Sequence, residues 1–143
     1  MDERPPQRLL DTPSWLLTQI ATDAGRRTRE VFDAVGAGRY HYAILCAAEE
    51  FGPCSQADIG RRLQIDRKDV ANRVLELEKE GCLERRSDPE DPRRNLVRLT
   101  TQGEARLIQI QDRLREAQDD LLAKLEPEDR AAFIAALQAI LDR

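Results

Sequence analysis

Histidine is nearly absent from this 143-residue chain, where His41 stands alone. One imidazole among scattered carboxylates makes no recognisable acid–base pair. There is no glycine-rich phosphate loop, no G-x-S-x-G and no H-E-x-x-H. Cys46, Cys54 and Cys82 are odd in number and lack metal-ligand spacing, even with His41 added. An enzyme is therefore not expected, nor a bound metal or other cofactor. The cysteines are expected to be reduced and mostly buried; oxidation at Cys54 or Cys82 is the alternative that a thiolate-favouring environment would allow. No apolar run reaches the roughly 18 residues that a bilayer span requires. The opening MDERPPQRLL carries charge and proline where a secretory signal would be apolar, so the expectation is a cytoplasmic protein without membrane partners.

Aromatic residues are also scarce, at 4%, while charged residues make up 35% and apolar residues 41%. That balance suits one helix-rich domain, or one domain with an oligomerisation extension. The net charge of −4 argues mildly against a polyanionic partner, but charge is not spread evenly. Residues 56–98 hold eleven basic and ten acidic side chains, a net of +1, leaving −5 for the rest. Contact with nucleic acid depends on the field at one face rather than on the total.

The chain divides by its caps and stops. Residues 1–11 read as a loose arm. Thr12-Pro13 opens a helix, with Thr as N-cap and Pro where its missing N–H costs nothing. Leu16, Leu17, Ile20, Ala24, Thr28, Val31, Phe32 and Val35 recur near helical spacing until Gly36 and Gly38. A second helix runs from Arg39 to Glu50, apolar on much of its circumference, and Phe51-Gly52-Pro53 ends it. Ser55 caps a short helix ending near Leu63, and Asp66 caps the next. There Val70, Val74 and Leu77 form a buried stripe at i, i+4, i+7, with Gly81 as the stop. Cys82–Arg86 and Asn95–Thr100 read as strands around the turn residues 87–92. Thr101 and Glu104 form a capping box that opens a long helix through Leu125. Pro127 starts the last helix, with Phe133, Ile134, Leu137, Ile140 and Leu141. A helix pair followed by a hairpin carrying Arg85, Arg86, Arg93, Arg94 and Arg98 suits a DNA groove, with the hairpin on the neighbouring backbone.

That order, with the strings DRKDVANRVLELEKEG and DPRRNLVRLTTQG, resembles the MarR family of bacterial transcriptional regulators. The match covers roughly residues 13–143. Its most specific part is Asp91-x-Arg93 followed by Val97-x-Leu99-Thr100 and then Gly103. The resemblance implies a mainly α fold with a small antiparallel β wing. It would be a winged helix-turn-helix at 39–101 between dimerisation helices at 1–38 and 102–143. It implies a sequence-specific regulator, expected to be a repressor, that binds double-stranded DNA at a pseudo-palindromic operator as a homodimer. The helix Arg67–Glu80 would enter the major groove. With Val70, Val74 and Leu77 inward, Lys68 and Asn72 lie on the opposite face and Asp69 beside them, making these three the candidates for base edges. Arg67, Arg73 and the Ser55 hydroxyl are candidates for phosphates. In the wing, Arg93 is the candidate for minor-groove insertion, Asp91 its acidic support and Arg94 a further DNA contact. The chain departs from the family where Asp66 and Asp69 replace small hydroxyl residues and Arg73 replaces an apolar one.

Many relatives release DNA when a small, often aromatic ligand enters a cleft above the dimer base. Trp15, His41 and Tyr42 are the candidate lining residues for such an effector. Leu16, Ile20, Phe133, Leu137 and Ile140 are candidates for the dimer interface, with an intramolecular core as the other reading. Peroxide-sensing members carry their cysteine in the first helix, and this chain has none between Met1 and Arg39. A winged helix used for protein–protein contact remains the alternative, because carboxylates on the recognition helix repel DNA.

Overall fold

A computed structural model describes residues 2–142. The elements are α1 (Gln7–Leu10), α2 (Pro13–Val35), α3 (Arg39–Phe51), β1 (Cys54–Ser55), α4 (Gln56–Leu63), α5 (Arg67–Lys79), β2 (Leu83–Ser87), β3 (Asn95–Leu99), α6 (Thr101–Leu121) and α7 (Pro127–Leu141). This is the expected winged-helix order with two additions. A four-residue helix stands in the arm, and a two-residue strand adds a third member to the sheet. The chain divides into two compact units, Arg29–Arg113 and Met1–Thr28 with Leu114–Arg143.

The unit Arg29–Arg113 holds the wing. Its antiparallel sheet has the order β1-β3-β2, with Leu83 opposite Leu99, Arg85 opposite Val97, and Cys54 opposite Val97 on the other edge. Ile44 and Leu45 of α3, Ile59 of α4, Val70, Val74 and Leu77 of α5, Leu83, Val97 and Ile110 are at most 2% exposed. Each such side chain contributes about 1.5–3 kcal/mol on burial. The i, i+4, i+7 stripe of α5 thus faces inward as the spacing predicts.

Local chemistry sets the ends of these helices. The Ser55 hydroxyl accepts from the Asp58 N–H at 3.1 Å, and Asp66 Oδ2 accepts from the Lys68 N–H at 2.9 Å. Gln64 closes α4 in the left-handed region (φ 53°), and Gly81 does the same after α5 (φ 79°). The cap of α6 falls one residue earlier than the capping-box pattern suggests. Thr100 Oγ1 accepts from the Gly103 N–H at 3.0 Å and donates to the Gly81 carbonyl at 2.6 Å. Gly103 has no room for a side chain, since a Cβ there would overlap the Cys82 carbonyl and Leu99 Cδ1. The LT-x-x-G signature is therefore a helix start pressed against the foot of β2.

In the second unit, Leu114 is the only residue below 9% exposure among the described residues. Helix α7 buries no residue, and Ile134, Leu137, Ile140 and Leu141 are 47%, 37%, 74% and 63% exposed. Leu17 and Ile20 of α2 are each 40% exposed. Helix α6 stops at Leu121, short of the expected Leu125, and a turn in which the Leu125 N–H donates to the Leu122 carbonyl leads to α7. Thr12 Oγ1 donates back to the Arg8 carbonyl at 2.7 Å, tying α1 to the start of α2. No helix among the described residues is long and apolar enough to cross a membrane.

Candidate nucleic-acid interface

A cleft of about 440 Å³ opens within the winged unit between α4, α5 and the wing. Arg61, Arg67, Arg85, Arg93 and Arg94 line it, with Gln56, Asn95 and a single carboxylate, Asp58. Five guanidinium groups around one carboxylate would make a strongly positive hollow, but most of them are already paired. Arg85 grips Glu78 through two bonds, Nε at 2.7 Å and Nη2 at 2.9 Å. Arg61 contacts Asp58, and Arg94 reaches both Asp58 (3.1 Å) and Asp88 (3.6 Å). Arg67 has no carboxylate partner within 4 Å among the described residues. Arg93, with its side chain 92% exposed, has only a loose approach to Asp91 at 3.5 Å.

The residues expected to read DNA fall into two groups. Lys68 and Asn72 are exposed on α5, and Asp69 is half-buried in its first turn. Lys68, like Arg67, has no acidic partner within 4 Å among the described residues. Ser55 and Arg73 are placed differently. Ser55 lines the cleft but is 4% exposed, and its hydroxyl accepts from the Asp58 N–H as the α4 cap. Arg73 Nη1 lies 3.0 Å from both carboxylate oxygens of Glu76, an i, i+3 pair within α5. In the wing, Asp91 Oδ1 accepts from the Arg93 N–H at 3.1 Å, which shapes the turn beneath the Arg93 side chain.

These pairs also hold their acids in the charged form. The Ser55 hydroxyl, helped by Arg61 and Arg94, keeps the Asp58 carboxyl below its ordinary range. Arg85 does this for Glu78 and Arg98 for Glu84, while His41 and then Arg73 do it for Glu76. Hydrogen bonds to the ionised form account for these directions.

His41 serves the fold. Its Nδ1 accepts from the Gly38 N–H at 2.9 Å and caps α3, leaving Nε2 as donor to Glu76 Oε2 at 2.6 Å. Tyr42 packs its ring against Phe32, with centroids 6.4 Å apart, and partial burial pushes its phenol up. Trp15 belongs to the terminal-helix unit, whereas His41 and Tyr42 belong to the winged unit. Cys54 and Cys82 are 7% and 2% exposed, and burial raises both thiols, the opposite of what an oxidation-prone thiolate needs. No metal-binding group of His, Cys, Asp and Glu occurs among the described residues.

Sequence reasoning left Arg61 without a role and Arg85 unsorted. Their partners, Asp58 and Glu78, are the missing information. The Arg61–Asp58 pair sits at i, i+3 on one helix and was legible in the spacing; Arg85–Glu78 needs β2 laid beside α5.

The model of the MarR family matches residues 39–95. The HTH-type transcriptional regulator YwoH of Bacillus subtilis (strain 168) is 27% identical over 117 residues, 82% of this chain and 85% of the relative. A probable transcriptional regulator from Pseudomonas aeruginosa, known as a crystal structure, is 30% identical with a TM-score of 0.74, over 92% of this chain and 98% of that one. The Bordetella bronchiseptica protein BpsR, whose DNA binding is regulated by 6-hydroxynicotinic acid, superposes with a TM-score of 0.80 over 93% of this chain and 95% of its own. At 22% identity that likeness is one of fold.

Proposed function

This chain belongs to the MarR family of transcriptional regulators, and on that premise we propose that it binds double-stranded DNA as a homodimer at a pseudo-palindromic operator. The observation that carries this reading is the cleft between α5 and the wing. There Arg67 has no carboxylate partner among the described residues, and Arg93 projects with its side chain 92% exposed and only Asp91 beside it. Arg85 and Arg94 are held by Glu78 and Asp58, and Lys68 follows Arg67 on the exposed side of α5. Lys68, Asp69 and Asn72 take base edges, Arg67 a phosphate, and Arg93 the minor groove, with Asp91 shaping its turn. Residues 39–101 read the DNA, and segments 1–38 and 102–143 pair the subunits. The exposed Ile20, Leu137 and Ile140 support that pairing, with Leu16 and Phe133 beside them. A two-fold dimer sets two recognition helices about one DNA turn apart.

The regulator acts as a repressor in the cytoplasm, and a small aromatic effector releases it by favouring a spacing that does not fit DNA. The effector named for BpsR supports that ligand class. Binding of the full chain to a random-sequence duplex pool as a function of salt tests the reading. Log affinity should fall steeply with log salt, less steeply for Arg93→Ala, and selection from the pool should yield a two-fold repeat. A chain that retains no duplex at low salt is not a DNA-binding regulator, and a winged helix for protein contact would then be the better description.

A further inference from the structure

Adjacent wing arginines are held in opposite ways. Arg93 projects, with its side chain 92% exposed. Arg94 turns back between two carboxylates, Asp58 and Asp88, that lie 30 residues apart in sequence. Its Nη2 donates to Asp58 Oδ2 of α4 at 3.1 Å, and its Nε lies 3.6 Å from Asp88 Oδ2 at the base of the wing turn. The Arg94 backbone closes that turn as well. Its carbonyl accepts from the Asp88 N–H at 2.8 Å and its N–H donates to the Asp91 carbonyl at 2.9 Å. Asp58 and Asp88 are the less exposed members of these pairs, with side chains 27% and 14% accessible. A planar guanidinium can meet two carboxylates at fixed angles, which a lysine ammonium cannot do.

We propose that Arg94 is a positioning residue, a latch that fixes the wing to the N-terminal turn of α4 and thereby aims Arg93. The proposal rests on the DNA-binding reading above and gives Arg94, which the family resemblance casts as a further DNA contact, a supporting role instead. It makes a prediction of unusual sign. Asp58 is the one carboxylate lining an arginine cleft, so charge alone says that removing it should tighten DNA binding. Under the latch, removing it frees the wing and weakens binding.

The test uses the full chain and the variants Asp58→Asn, Arg94→Lys and Arg93→Ala, with a duplex selected from a random pool. Asn at position 58 retains a side-chain acceptor for the α4 cap, and Arg94→Lys leaves α4 untouched while keeping the wing's charge. Amide hydrogen exchange without DNA reads the latch directly. Asp58→Asn and Arg94→Lys should each speed exchange at Asp88 and Arg94 by about fivefold, the scale of a surface ion-pair network. With the duplex, both should weaken binding by about fivefold while leaving the slope of log affinity against log salt unchanged, because no phosphate contact is lost. Arg93→Ala should cost less in the Asp58→Asn background than alone, since an arginine no longer aimed has less to lose. A structural defect elsewhere would leave those two effects additive. Unchanged exchange, tighter binding by Asp58→Asn, additive effects, or a slope reduced by about one per Arg94 would overturn the latch. If exchange quickens as expected but even the unsubstituted chain retains no duplex, the latch stands and the DNA-binding reading fails.

Discussion

The two units of this chain solve the problem of burying apolar surface in different ways. In the winged unit, nine large side chains lie within 2% of full burial, α4, α5 and α6 start on the side-chain caps Ser55, Asp66 and Thr100, and left-handed Gln64 and Gly81 follow α4 and α5. In the terminal unit, α7 buries nothing, and Ile140 and Leu141 remain more than 60% exposed. The first is a finished core. The second has an apolar helix face without a finished core, as expected of a segment that completes itself on a second subunit. Stability and assembly should accordingly respond to different substitutions, at different protein concentrations.

The largest effect belongs to the finished core. Leu77→Ala should destabilise the winged unit by about 3 kcal/mol, whatever the protein concentration, as read by denaturant unfolding. The terminal unit should behave otherwise. Leu137→Glu with Ile140→Glu should change the unfolding of the isolated subunit little, while sedimentation or light scattering shows the mass falling from dimer to monomer. If the pair leaves the mass unchanged, the distinction between the units is broken. Within the winged unit a smaller contrast separates free from paired cations. Arg93→Ala should flatten the salt dependence of duplex binding by about two for the dimer, and Arg85→Ala, already neutralised by Glu78, by much less.

The smallest effect is on pH. Asp58, Glu76, Glu78 and Glu84 of the winged unit are held below their ordinary range, against Asp23 of the terminal unit, lowered by Arg27 and then Arg26. A carboxyl lowered in the folded state stabilises the fold above its unfolded value and loses that contribution as pH falls through the folded one. Thermal unfolding should therefore be flat on this account above about pH 6 and decline below about pH 4, in the ordinary carboxylate range. Glu78→Gln should lessen the decline.

Much of the winged unit was legible because its signals are local. The stripe Val70, Val74, Leu77, the caps Ser55 and Asp66 and the stop at Gly81 each lie within a turn or two of what they control. The departures come from contacts that short-range patterns do not contain. Cys54–Ser55 becomes a strand only because Val97 and Leu96 lie beside it. The α6 cap falls on Thr100 because its hydroxyl also reaches the Gly81 carbonyl, 19 residues earlier. The candidate site shows the same limit. Arg93 and Arg94 are neighbours of equal charge in sequence, and only the fold sets Asp58 against the second. Counting charge over residues 56–98 gave a near-neutral segment; pairing shows which few cations remain available.

The salt dependence of duplex binding by the dimer tests that account most directly. Arg67, Lys68 and Arg93 from two subunits should give a slope of log affinity against log salt of roughly −5, falling by about two in Arg93→Ala. A chain that binds no duplex, or a slope that Arg85→Ala flattens more than Arg93→Ala does, would contradict it.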